Sequence, residues 1–104
     1  MNNFILLYIT NPTKDETKKI ARHLLEKKLI ACAVISGEVD SLYWGEGKIA
    51  EEKEFVLIAK TLEENFEKVK IEVEKIHSYK IPCIVKIPVS SNEKYFQWLS
   101  KEVK

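Results

Sequence analysis

Leu29-Ile30-Ala31-Cys32-Ala33-Val34-Ile35 is an unbroken apolar run, and together with the stretch to Lys60 it decides the fold. Ser36-Gly37-Glu38 interrupts the run and reads as a bulge or bend, since glycine tolerates dihedrals that other residues avoid. A strand resumes from Val39 to Trp44. Gly45-Glu46-Gly47 is a hairpin turn. Lys48 to Lys60 returns as the partner strand, with Phe55-Val56-Leu57-Ile58-Ala59 as its apolar half. The result is a long hairpin whose distal half is polar and aromatic.

Working outward, Phe4 to Thr10 is a short apolar, β-branched and aromatic stretch that predicts a first strand, stopped by Asn11-Pro12. Thr13-Lys14-Asp15-Glu16 matches a capping box, and Ile20, Ala21, Leu24 and Leu25 repeat at helical spacing, so a helix is predicted to about Lys28. Beyond the hairpin, Thr61-Leu62-Glu63-Glu64 reads as a second capping box. Leu62, Phe66, Val69, Val73 and Ile76 then form one apolar helix face, which ends at His77-Ser78-Tyr79. Ile81 to Val89 is a last strand. It carries Pro82 and Pro88, and proline cannot donate to a ladder, so it belongs at a sheet edge. Ser91 or Asn92 caps a short final helix holding Tyr95, Phe96, Trp98 and Leu99. The order βαββαβ with right-handed crossovers predicts an α+β, ferredoxin-like sandwich plus a C-terminal helix, one domain over residues 1–104.

The 104 residues carry 17 basic and 16 acidic side chains, a formal charge of +1. A general binder of nucleic acid or anionic membrane would show a basic excess. The lone arginine, Arg22, leaves little material for bidentate phosphate recognition. No apolar run is long enough to span a bilayer, and Met1-Asn2-Asn3-Phe4 does not open like a signal peptide. Cys32 and Cys83 are too few and too far apart in sequence for a disulfide framework, which makes a reducing cytoplasm the expected compartment.

Three strands are apolar without alternation, which is the pattern of a sheet buried on both faces. Both long helices of this topology lie on one face. A second copy of the chain is the readiest cover for the other, with the C-terminal helix as the alternative cover.

These words together resemble the divalent-cation tolerance family, the CutA proteins, over nearly the whole chain. The resemblance rests on Leu29-Ile30-Ala31-Cys32-Ala33, Ser41-Leu42-Tyr43-Trp44-Gly45-Glu46-Gly47-Lys48, Glu54, Lys60-Thr61, His77-Ser78-Tyr79-Lys80-Ile81-Pro82 and Tyr95-Phe96-Gln97-Trp98-Leu99, in that order. It implies a cytoplasmic homotrimer of ferredoxin-like subunits, linked to tolerance of copper and other divalent metals and without an established catalytic activity. Departures from the family pattern are Val34 for Asn, Leu62 for Arg and Ser78 for Pro. A copper-binding set in the family uses a Cys near the end of the first strand and adjacent histidines. Here Ile9 and Ile76 stand at two of those places, and His77 alone remains.

The candidate site residues fall into two main groups. Lys60, His77, Tyr79, Tyr95 and Trp98 are expected at an intersubunit cleft, with Tyr79, Tyr95 and Trp98 as an aromatic wall. His77 is the candidate ligand for Cu(II) or another divalent cation, none of them required as a cofactor; a helix C-terminal cap is its structural alternative. Tyr43 and Trp44 are expected at the trimer interface. Cys32 and Cys83 read as two small buried hydrophobes. Glu46, Glu51, Glu52 and Glu54 could hold a hard cation or form a solvated acidic strand. A ligand-binding regulatory module, taking a small anion beside Lys60 and His77, is the alternative function. No Ser–His–acid set, phosphate loop or arginine after the first strand supports an enzyme. Glu52-Lys53-Glu54-Phe55-Val56-Leu57 lacks the basic and aromatic pattern of RNA-reading strands.

Overall fold

The computed structural model describes residues 2–104; Met1, part of the predicted domain, lies outside them. Strand β1 (Asn3–Asn11) leads into helix α1 (Lys14–Glu26). Strands β2 (Cys32–Ile35), β3 (Val39–Gly45) and β4 (Lys48–Thr61) come next. A 3-10 turn (Glu63–Asn65), α2 (Phe66–Ile76), β5 (Ile84–Ser90) and α3 (Glu93–Glu102) complete the chain. The sheet runs β2-β4-β1-β5, with β3 paired to the distal half of β4, and all pairings are antiparallel. This is the predicted α+β topology, with the proline-bearing strand at an edge.

Alternation along the strands assigns the two faces. Ile5, Leu7 and Ile9 of β1, paired with Thr61, Ala59 and Leu57, pack with Ile20, Leu24, Val69 and Val73 of α1 and α2 in one core cluster. The other face carries Phe4, Leu6, Tyr8 and Thr10 beside Lys60, Ile58 and Val56. Helix α3 covers one end of it: the Tyr95 ring lies 6.3 Å from that of Phe4 and 5.1 Å from the Lys60 Nζ. The helix thus covers only part of the face. Val34, Val85 and Ile87 stay exposed, Val34 at 50%.

The break in the long hairpin is held by Ser36. Its N–H donates to the Val56 carbonyl, and its hydroxyl accepts from the Val56 N–H. The turn is a two-residue loop: Gly45 pairs with Lys48, and Glu46 and Gly47 have φ of 53° and 80°. Two positive φ values make it a type I′ turn, whose twist suits the strands. The molecule spans 45 × 23 × 23 Å.

Several expectations need correcting. Strand β2 begins at Cys32, not Leu29, because Leu29 closes α1. Its N–H reaches the Leu24 carbonyl while that of Lys28, at φ 59°, reaches Leu25. Those two bonds form a Schellman cap, so α1 ends at Glu26. Strand β5 begins at Ile84 rather than Ile81. The second capping box does not form: the Thr61 hydroxyl donates to the Leu29 carbonyl at 2.6 Å, and a 3-10 turn opens α2 instead. The Thr13 cap does form, accepting from the Glu16 N–H, but the Glu16 carboxylate is turned toward Ser78. Cys32 and Cys83 are half-buried free thiols and not core residues.

Candidate functional site

The predicted cleft residues occupy two ends of the open face. At the α3 end, the Lys60 Nζ lies 3.3 Å from the Tyr95 hydroxyl, and the Tyr95 and Trp98 rings are 5.5 Å apart. Lys60 makes no ion pair among the described residues. His77 and Tyr79 sit at the other end, beyond the C-terminus of α2 and near Thr10. Leu6 pairs with Lys60, so the step from there to Thr10 is about 13 Å of strand. One subunit therefore does not make a single aromatic wall of Tyr79, Tyr95 and Trp98.

The His77 side chain is wholly buried. The Tyr79 N–H donates to its Nδ1 at 3.0 Å, which leaves Nε2–H to donate to the Thr10 carbonyl at 2.9 Å. Its backbone N–H caps α2 on the Val73 carbonyl, and its ring packs 4.8 Å from that of Tyr79. Ligation through either nitrogen has to displace one of these bonds. Ile9, where the family's copper set has a cysteine, is fully buried in the helix-side core. Among the described residues, no three His, Cys, Asp or Glu side chains are grouped to hold a metal ion.

Tyr43 and Trp44 lie on the projecting arm formed by β3 and the distal half of β4, and Trp44 is 77% exposed. Leu42 and Ile49 are exposed on the same arm.

A cleft of about 610 Å³ opens where this arm meets the sheet, lined by Tyr8, Tyr43, Tyr79, Glu52, Glu54 and Lys80 among others. Its central feature was missed from sequence. Glu54 is only 6% exposed, whereas an acidic strand reads as solvated. The Tyr79 hydroxyl donates to Glu54 Oε2 at 2.6 Å and the Tyr43 hydroxyl to Glu52 Oε1 at 2.8 Å. Burial, reinforced by the Glu54 bond, pushes the Tyr79 phenol well above its ordinary range; the Glu52 bond raises that of Tyr43. Both hydroxyls thus stay protonated and donating at neutral pH. Burial and then the Glu54 charge also raise the Cys83 thiol, which disfavours a thiolate there. Alternation was the usable signal, since Glu54 is in phase with Val56, Ile58 and Lys60.

Sequence and structure comparisons decide the family. The profile of the CutA1 divalent ion tolerance protein family matches residues 5–102. The chain belongs to the CutA1 family. The divalent-cation tolerance protein CutA of Archaeoglobus fulgidus is 46% identical over 104 residues, 99% of each chain. That of Pyrococcus horikoshii is 41% identical over 101 residues, 96% of this chain and 98% of the other. Among solved structures, CutA1 from Oryza sativa superposes with a TM-score of 0.95 at 33% identity, over 98% of this chain and 94% of that one. The periplasmic divalent cation tolerance protein CutA from A. fulgidus gives 0.93 at 41% identity, over 98% and 99%. The fold is that of the CutA1 structures: an antiparallel sheet and three helices. No helix among the described residues is long and apolar enough to cross a membrane.

Proposed function

We propose that the chain serves tolerance of, or response to, divalent cations, copper among them, as a cytoplasmic homotrimer without catalytic turnover. The observation that carries the reading is the near full-length match to CutA1 proteins, at 46% and 41% identity to relatives named for divalent-cation tolerance. The trimer is supported by the apolar face left at Val34, Val85 and Ile87 and by the exposed Tyr43 and Trp44 on the arm. Faces of this kind are rarely left to water, and a closed threefold arrangement uses each edge once. Packing the open faces around an axis lets the Lys60, Tyr95 and Trp98 end of one subunit approach the His77 and Tyr79 end of the next, which is the intersubunit cleft. Two unpaired thiols support a reducing compartment.

Direct copper binding by His77 is weak on this reading, because both ring nitrogens already carry hydrogen bonds. A second reading, a regulatory module for a small anion, is favoured by Lys60: half-buried beside a phenol, and without an ion pair among the described residues.

Light scattering measures the assembly, and calorimetry with Cu(II), Zn(II) and anionic metabolites offered in turn tests the cleft. Complementation of a metal-sensitive strain lacking its own CutA tests the role itself. A monomer at micromolar concentration, or failure to restore growth in copper, overturns the corresponding half of the proposal.

A further inference from the structure

The two ends of the open sheet face carry opposite charge. Strand β4 supplies both charges: Glu54 and Lys60 are in phase with Val56 and Ile58, so all four lie on the face that the two helices α1 and α2 leave uncovered. At one end the Glu54 carboxylate accepts the Tyr79 hydroxyl at 2.6 Å. Glu52 adds a second negative charge there, and Lys80, the cation at that end, is exposed. At the other end the Lys60 Nζ meets the Tyr95 hydroxyl at 3.3 Å. A phenol orients either group without neutralising it. Six residues of strand, about 20 Å, keep the two charges apart within one chain.

A closed ring of subunits changes which ends are neighbours. Each interface in such a ring joins one end of a subunit to the opposite end of the next, and three identical contacts use every end once. The acidic Glu54 end and the basic Lys60 end are complementary in sign, so the contact is attractive in this orientation and repulsive with like ends together. Both side chains are already withdrawn from water, Glu54 buried and Lys60 half-buried. An ion pair in such a place fixes the register of two surfaces more than it adds stability, and removing one partner is costly because the other charge remains.

We propose that Lys60 of one subunit pairs with Glu54 of the next, and that this pair, flanked by Tyr95 on one side and Tyr79 on the other, sets the register of the ring. The inference rests on the homotrimer and names the contact that closes it. It gives Lys60 a protein carboxylate in place of a small anion.

A double-mutant cycle tests it: parent, Glu54→Gln, Lys60→Met and the double variant, each diluted and followed by light scattering in a fixed urea concentration that brings the parent's half-dissociation into the micromolar range. Each single change is expected to raise the half-dissociation concentration at least about tenfold. The double variant is expected to do no worse than the weaker of the two singles. Residues about 20 Å apart in one chain act additively, so this coupling arises only across a subunit contact. Lys60→Arg keeps the charge and is expected to assemble like the parent. Should Glu54→Gln fail to fold, as judged by circular dichroism, Glu54→Asp, whose shorter carboxylate falls short of the lysine, takes its place in the cycle. A trimeric parent whose two substitutions simply add, or saturable calorimetric binding of phosphate that Lys60→Met abolishes, overturns the ion pair and leaves the trimer standing. A monomeric parent overturns both.

Discussion

Replacing His77 by alanine should cost the fold more than it costs any ligand. The ring is wholly buried and both nitrogens are bonded, to the Thr10 carbonyl at 2.9 Å and the Tyr79 N–H at 3.0 Å. His77→Ala leaves two polar backbone groups without these partners, at about 1–3 kcal/mol each. Removing the ring beside Tyr79 adds a packing loss of about 1 kcal/mol. The expected total is about 3–7 kcal/mol, a large share of the roughly 5–15 kcal/mol that stabilises a domain. Urea denaturation at one fixed protein concentration, extrapolated linearly, measures it. His77→Gln, whose amide can still donate to Thr10, should lose about half as much. A loss below about 1 kcal/mol for the alanine variant would refute the reasoning and return His77 to the role of a free ligand. The same measurement guards against misreading a metal assay, since a loosened His77→Ala protein would bind copper differently for reasons of folding alone.

Four further outcomes are expected. Lys28, at φ 59° in the cap of α1, should give up about 1 kcal/mol of strain in Lys28→Gly, raising the urea midpoint. Glu46→Asn in the type I′ turn should be stabilising by a few tenths of a kcal/mol or more, whereas Gly47→Val should destabilise by about 1–2 kcal/mol, both read from thermal melts. Trp44→Asp should dissociate the proposed trimer, seen in light scattering as a fall in mass and as melting that no longer depends on concentration. The His23 ring at 2.8 Å, with Lys75 and Lys27 adding, holds the Glu72 carboxyl below the ordinary carboxylate range. A depressed folded value means the stabilisation is complete above about pH 4.3 and is lost as pH falls through the folded pKa, so Glu72→Gln should flatten the acid limb of the stability curve.

The order of elements was legible because each is marked by a local device: apolar runs for β1 and β4, the Thr13 cap for α1, Gly45 and Gly47 around the turn. Where two devices competed for one group, the sequence misled. Thr61 looks like a helix cap, but its hydroxyl is claimed by the Leu29 carbonyl 32 positions away, a partner that only the folded chain supplies. The site was half legible. Tyr95 does meet Lys60 from α3, and Trp98 packs on Tyr95. His77 and Tyr79 do not, because strand length separates them and nothing local in the sequence measures that. Glu54 was hidden by its neighbours: Glu51, Glu52 and Lys53 are exposed, and the strand crosses from the arm into the sheet at the next residue.

The position of β1 sets the order in which the chain can be completed during its synthesis. It lies in the middle of the sheet, with β4 on one side and β5 on the other. Its Phe4 pairs with Val89, so the first strand made waits for the last. A chain still emerging from the ribosome can lay β4 against β1, but the opposite edge of β1 keeps its amides bare until residue 90 is out. An unpaired, apolar inner strand of this kind is a template for pairing with other nascent chains. Closure of the sheet therefore comes late, and truncation ahead of Ile84 should leave a protein that aggregates instead of one that is merely shorter.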